Sequence, residues 1–247
     1  MKKILPVFII LLGSLPMAAQ PFITSGVVEY EVRTNVWRQN EGNEWFERFK
    51  DQVPQFNTDY YTYAFTNNKA IYKFDRKGDA KRTFSFFGSG DDESVWYNDY
   101  TTGEQTKLAP LDGYLLTSGQ QRKIVWKLDP DDQREIAGFN CRRAQTILFD
   151  SVYVFVYYTD EITISGGPMS LHGLPGLILG VTIPRMYTSW IATGVRLTTP
   201  DARTITPPTK GKKKSEPEIR AAIEQLSKSW GGDAKKWLDL FMWRTVL

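Results

Sequence analysis

The chain has 247 residues, of which 41% are hydrophobic and 14% aromatic, with 31 basic against 28 acidic side chains, one cysteine and one histidine. Such a composition supports a buried core and excludes a disordered chain. The near balance of charge argues against nucleic acid as a partner, since that binding is driven by phosphate neutralisation, and a single cysteine excludes an internal disulfide.

The N-terminus reads MKKILPVFIILLGSLPMAAQ. Lys2 and Lys3 precede an apolar stretch from Ile4 to Leu15, and Ala18 and Ala19 follow, which is the layout of a secretory signal peptide. The apolar stretch is shorter than the roughly 18 residues that a spanning helix needs, so the reading is export without a transmembrane anchor. Residues 1–19 are expected to be removed near Ala19/Gln20, leaving a periplasmic or outer-envelope protein of near-neutral charge.

From residue 20 to 199 the dominant pattern is period-two alternation in β-branched and aromatic segments. Val28, Tyr30 and Val32 alternate with Glu29, Glu31 and Arg33. Tyr60 to Phe74 reads as two strands joined at Asn67-Asn68, residues that tolerate positive φ in a tight turn. Similar segments start at Arg82, Val95, Lys123, Phe139, Val152, Leu177 and Trp190. The expected fold is mainly β within the α+β class: a large, twisted, partly closed antiparallel sheet of about eight to ten strands, with a C-terminal helical pair.

Two segments break the alternation. Asn43-EWFERFKDQ places an N-cap and early acids before Trp45, Phe46 and Phe49, which predicts a short helix before Pro54. Residues 200–217, containing Thr206-PPTKGKKKSEPE, read as a Pro- and Lys-rich linker, with Glu216 and Glu218 offsetting the run at Lys212. Residues 218–247 predict two helices separated at Gly231-Gly232, with Ile219, Ile223, Leu226 and Trp230 on one face of the first.

Candidate catalytic groups are few. His172 is the only histidine, so a multi-histidine metal site is excluded, and no cofactor is expected. Cys141 with His172 would make a nucleophile pair only if the thiol met a base. Cys141 falls inside an alternating strand, where a small buried hydrophobe is the usual outcome. The acids of Gly90-DDES and Asp129-PDD lack the oxygen alternation of a calcium loop and read as polar turns.

The stretch GGPMSLHGLPGLILG, Gly166 to Gly180, carries five glycines, two prolines and no formal charge. A nucleotide loop would need a lysine and a Ser or Thr after the glycines, and a membrane helix would not tolerate Pro175 at this length. Pro175 and Gly176 instead predict a type II turn on Leu174-Pro175-Gly176-Leu177, feeding a strand covered on both faces.

With Ile136-AGFNCRRA and Tyr157-YTDEITISGGPMSLHGLPGLIL, the chain resembles the GLPGLI family, exported proteins of Gram-negative bacteria. The resemblance runs from about Trp126 to Leu179 and rests on Cys141, Gly167, Pro168, Gly173, Leu174, Pro175, Gly176, Leu177 and Ile178. Arg143, Tyr157, Thr163 and Leu171 depart from the family pattern. The resemblance implies a β-rich envelope protein and carries no catalytic assignment. The expected function is a non-enzymatic binding or assembly module for an apolar ligand or for an outer-membrane transporter or assembly protein. The alternative is a thiol-dependent hydrolase using Cys141.

Overall fold

A computed structural model describes residues 22–78, 93–110, 114–149, 151–228, 238–240, 242–243 and 247. The expected signal peptide, the segment at Arg82, the acids Asp91 and Asp92, and most of the second C-terminal helix lie outside these residues.

Among the described residues, twelve strands form one sheet. They are β1 (Gly26–Asn35), β2 (Phe56–Thr66), β3 (Lys69–Lys77), β4 (Val95–Asp99), β5 (Glu104–Pro110), β6 (Tyr114–Gln120), β7 (Lys127–Ile136), β8 (Phe139–Leu148), β9 (Val152–Thr159), β10 (Leu177–Ile183), β11 (Thr188–Arg196) and β12 (Lys212–Lys213). The spatial order is β12-β6-β5-β4-β3-β2-β1-β11-β10-β9-β8-β7. Every pairing is antiparallel except the short parallel one of β12 on β6. The chain meanders outward from the centre to β6, crosses to the opposite edge through residues 121–126, and meanders back to β11. Closure of the halves is therefore the long-range pairing of β1 with β11, in which Val32 faces Trp190. The sheet is not closed: β12 and β7 stand at its two separate edges.

Local chemistry explains the tight hairpins. Asn67 and Asn68 have φ of 51° and 57°, the two positive values of a type I′ turn, whose twist matches that of the flanking strands. Ala137 and Gly138 do the same between β7 and β8, with φ of 51° and 83°. The acidic run at Asp129, expected as a turn, lies instead inside β7. The register shifts between Asp129 and Gln133, so Pro130 sits in a bulge of an edge strand, where a missing N–H is tolerated.

One face of the sheet carries the core. Val28 and Tyr30 of β1, Tyr63 and Phe65 of β2, Tyr72 of β3 and Val152, Val154 and Val156 of β9 are fully or almost fully buried. β10 is buried from Leu177 to Val181, as the apolar run predicts for a central strand. The helices are minor. Asn35 caps α1 (Val36–Gln39), and Asn43 caps α2 (Glu44–Glu47) by accepting from the Phe46 amide. Only Phe46 of the aromatic trio becomes buried, while Trp45 and Phe49 stay exposed. The Lys-rich stretch expected as a linker contains β12, and α3 (Glu216–Ser227) follows. Glu218 reaches back to the start of this helix, where its carboxylate accepts from both the amide and the hydroxyl of Ser215 at 2.8 Å. Ile219 and Ile223 of α3 pack with Leu115 of β6.

Candidate functional site

The glycine-rich stretch forms a strap between β9 and β10, lying on the buried face of the sheet. Gly166 lies against the hydroxyls of Tyr63 and Tyr100, which are 3.0 Å from each other; a Cβ on Gly166 would come within 2.2 Å of the first. Gly167 approaches Ile178 so closely that a Cβ would meet its Cβ at 2.7 Å. The strap is fastened by Asn98, whose amide donates to Met169 O at 3.1 Å, and by Trp126, whose indole donates to His172 O at 2.9 Å. Ile178 ties it to β1: its amide donates to Gly166 O at 2.8 Å, and its carbonyl accepts from the Tyr30 hydroxyl at 2.5 Å.

The turn at Leu174–Leu177 differs from the type II expectation. The Gly176 amide donates to Leu174 O at 2.8 Å, a γ-turn centred on Pro175, while the Leu177 amide is taken by Ile162 O at 3.1 Å. Gly176 has φ of +141°, and a Cβ there would lie 1.9 Å from Thr159 O. Glycine is required by both conformation and space. The other motif residues divide by environment: Pro168, Leu174, Leu177 and Ile178 are buried, whereas Gly173 and Pro175 are exposed. The motif thus organises packing and places no reactive group.

Beside the strap, the same face holds a cavity of about 60 Å³. Its aromatic wall is Tyr61, Tyr72, Trp96 and Trp190; Met169 from the strap and Met186 add thioethers; Asp59, Thr34 and Thr188 supply polar lining. Tyr61 stacks on Tyr72 at 5.0 Å, and Trp96 packs against Tyr72 at 5.4 Å. Register builds this wall, because Tyr61 and Tyr72 come from paired strands and Tyr72 faces Trp96 across β3 and β4. Met169 holds a left-handed φ of 58°, and Tyr187 beside Met186 one of 51°. Such backbone costs about 1–3 kcal/mol per residue and persists where surrounding structure over-determines it.

Most polar groups of the cavity are satisfied. Thr34 and Thr188 share a hydrogen bond at 3.0 Å, and Thr188 also donates to Met186 O at 2.8 Å. Two buried polar atoms find no hydrogen-bond partner, the Trp96 indole nitrogen and the Tyr72 hydroxyl. The Trp190 side chain approaches the Tyr72 hydroxyl without completing a bond of good geometry. Burial raises the Tyr72 phenol well above its ordinary range, so the group is a neutral hydroxyl. The Lys107 ammonium lies over the Trp96 ring, 4.7 Å from its centroid.

The candidate catalytic residues are placed elsewhere. Cys141 is fully buried in the main core, and its thiol donates to Phe139 O at 3.5 Å. Burial, reinforced by the Glu161 carboxylate, pushes the thiol up to about 12, which keeps it protonated at neutral pH. His172 Nδ1 lies 2.8 Å from Ser170 O, and the His172 ring packs at 6.4 Å from Tyr100. The β7 acids turn toward Arg143, which lies 3.4 Å from Asp129 and 3.3 Å from Asp132, while the Tyr157 hydroxyl donates to Asp132 at 3.0 Å. Among the described residues no group of three or more His, Cys, Asp or Glu is placed to hold a metal ion. None of the described helices is long and apolar enough to cross a membrane.

The cavity residues were not singled out from the sequence. Their only signal is the aromatic alternation of Tyr61, Tyr63 and Phe65, and of Tyr72 and Phe74, which marks a buried face without locating a void in it.

No family model matches the chain, and no curated protein matches it. Among solved structures, the chain is similar to PNGF-II, with a TM-score of 0.50 and 16% identity over 78% of this chain and 31% of that one. It therefore spans about a third of the length of that protein, and the likeness shows a shared fold alone. An uncharacterized conserved protein from Thermus thermophilus gives a TM-score of 0.41 and 6% identity, over 78% of this chain and 91% of that one.

Proposed function

We propose that this protein is an exported, non-enzymatic binding module of the GLPGLI type, acting in the cell envelope of a Gram-negative bacterium, and that the aromatic cavity beside the strap is its ligand site. The observation that carries the reading is the cavity itself: concave, lined by four aromatic rings and two thioethers, with a few polar groups set among them. Ligand sites have this composition, and the strained backbone of Met169 lies in its wall. An outer-membrane transporter or assembly protein would be the partner that delivers or receives the ligand. The thiol-dependent hydrolase has no such support, because a buried thiol pushed up to about 12 is a poor nucleophile at neutral pH.

The test is native mass spectrometry of the full chain purified without detergent from the envelope of its own host. A bound mass that is released on denaturation, and that is depleted in a Trp190→Ala protein of unchanged circular dichroism, is the expected result. Bare protein mass, together with unchanged methionine methyl resonances after incubation with an envelope extract, would overturn the assignment.

A further inference from the structure

The strap has two sides. Met169 lines the aromatic cavity, while the next two residues, Ser170 and Leu171, line a second cavity of about 140 Å³. Its floor is apolar, formed by Ile124, Leu148 and Leu171. Its rim is polar, with Gln120 and Ser170 beside an ion pair in which Arg122 Nη2 donates to both Glu216 carboxylate oxygens, at 2.9 and 3.2 Å. Gln120 is exposed and Ser170 half-buried, so both are open to a ligand, and among the described residues neither side chain has a hydrogen-bond partner. Arg122 uses only Nη2 in the pair, so its Nε and Nη1 donors remain.

This set of groups selects a class of ligand. Gln120 offers donors and an acceptor, Ser170 one of each, and Arg122 donors alone, a mixture that hydroxyl groups match because each both donates and accepts. The ion pair favours neutrality. Arg122 and Glu216 neutralise each other, so an ionic ligand would leave water for a cavity with no unpaired counter-charge. The volume is roughly that which seats one six-membered ring. A pyranose turns a face of C–H groups to the apolar floor and carries hydroxyls around its edge for the rim. Arg122, Phe149 and Glu216 also face a wider cleft of about 580 Å³, which gives a glycosidic substituent a way out. We propose that this second cavity binds a neutral saccharide through one pyranose ring, separately from the aromatic cavity.

The experiment titrates the full chain, labelled at glutamine side-chain amides and methionine methyls, with the methyl pyranosides of glucose, galactose, mannose and N-acetylglucosamine. Gln105 and Gln120 line the second cavity and report on it, while Met169 and Met186 report on the aromatic one. At least one pyranoside is expected to move the Gln105 and Gln120 signals and leave Met169 and Met186 in place. Cyclohexanol, a ring with one hydroxyl, is expected to bind about tenfold more weakly, and so are glucuronate and protonated glucosamine. Gln120→Ala and Ser170→Ala should each weaken the pyranoside about fivefold at unchanged circular dichroism. No glutamine response to any pyranoside overturns the site. Movement of Met169 and Met186 instead overturns the location. Equal potency of cyclohexanol, or unchanged affinity in both variants, overturns recognition of hydroxyls by the rim. Tighter binding of either charged sugar overturns neutrality. Tighter binding of N-acetylglycinamide than of every pyranoside overturns the saccharide in favour of a peptide.

Discussion

Replacing Gly176 by alanine tests the central claim about the strap. The residue holds φ of +141°, and a Cβ would stand 1.9 Å from Thr159 O, 2.7 Å from Thr159 C and 2.9 Å from Asp160 Cα. All three are backbone atoms, so no side-chain rotation relieves the overlap. The conformation alone costs an L-residue about 1–3 kcal/mol. Relief by separation would weaken the Leu177 pairing with Thr159 in β9 and the Leu177 amide bond to Ile162 O, at about 1 kcal/mol for each interaction. The expected loss is therefore about 3–5 kcal/mol, a large part of the 5–15 kcal/mol that holds a typical domain. Equilibrium urea unfolding at fixed temperature measures it, read as a drop in midpoint at unchanged slope. Two controls separate space from conformation. Gly138 has φ of +83° with nothing within 4 Å, so Gly138→Ala should cost only about 1–2 kcal/mol. Gly119 also has nothing within 4 Å and no positive φ, so Gly119→Ala should stay within about 0.5 kcal/mol. A Gly176→Ala protein within 1 kcal/mol of the parent, or no worse than Gly138→Ala, would refute the packing argument.

At Gly166 the obstruction is side chain, the hydroxyls of Tyr63 and Tyr100, so Gly166→Ala should destabilise the parent by about 2 kcal/mol and the Tyr63→Phe/Tyr100→Phe double variant by clearly less; additive losses in a double-mutant cycle would contradict the contact. Tyr30→Phe removes the donor to Ile178 O and should cost about 1–2 kcal/mol in the same urea assay, an unchanged midpoint being the adverse result. Alkaline pH should unfold the protein: Cys141 is held up to about 12, and Tyr30, Tyr63 and Tyr72 well above 10, so these groups stay protonated when folded and ionise when unfolded. The stability intact below pH 9 is then lost between about pH 9 and 12, at about 1.4 kcal/mol per pH unit for each retained proton, and a protein that keeps its circular dichroism while the absorbance of all its tyrosines titrates would refute the reasoning. Alkylation of Cys141 at neutral pH should proceed at the global unfolding rate, and immediate labelling of native protein would restore the thiolate reading. N-terminal sequencing of envelope-fractionated protein should begin at Gln20, and intact Met1 would sink the export assignment.

What the sequence reveals depends on how local the deciding contact is. The Asn67-Asn68 hairpin and the alternation of Val28, Tyr30 and Val32 are settled within a few residues, and both are readable. β5 and β6, with Glu104-QTKLAP and Tyr114-LLTSGQ, carry weak apolar alternation and owe their strand state to pairing with β4 and with each other. β7 escapes for the opposite reason. Its Asp-Pro-Asp-Asp run is good turn chemistry, and only the edge position with Arg143 opposite turns it into a bulge. The Leu174–Leu177 turn shows the same limit at the scale of one hydrogen bond. Pro-Gly suits both turn types, and the choice falls to Ile162, which takes the Leu177 amide from fifteen positions upstream. The cavity is less readable still, because its walls come from β1, β2, β3, β4, β11 and the strap, and only their register brings Tyr61, Tyr72, Trp96 and Trp190 together.

Strap and cavity form one device. Met169 belongs to the strap and lines the cavity, so the depth of the cavity depends on how closely the strap lies on the sheet. That approach is set at Gly166, Gly167 and Gly176, where any side chain would meet Tyr63, Ile178 or the end of β9. It is locked by Asn98 at Met169 and by Ile178, whose amide and carbonyl join the strap to Tyr30. Tyr30 in turn packs edge-on against Tyr72 at 6.1 Å, which returns the chain of contacts to the cavity wall. Glycines that do not line the cavity therefore govern its shape. A glycine-rich motif without a reactive group is then understandable as the part that fixes where the aromatic wall and the two methionines stand.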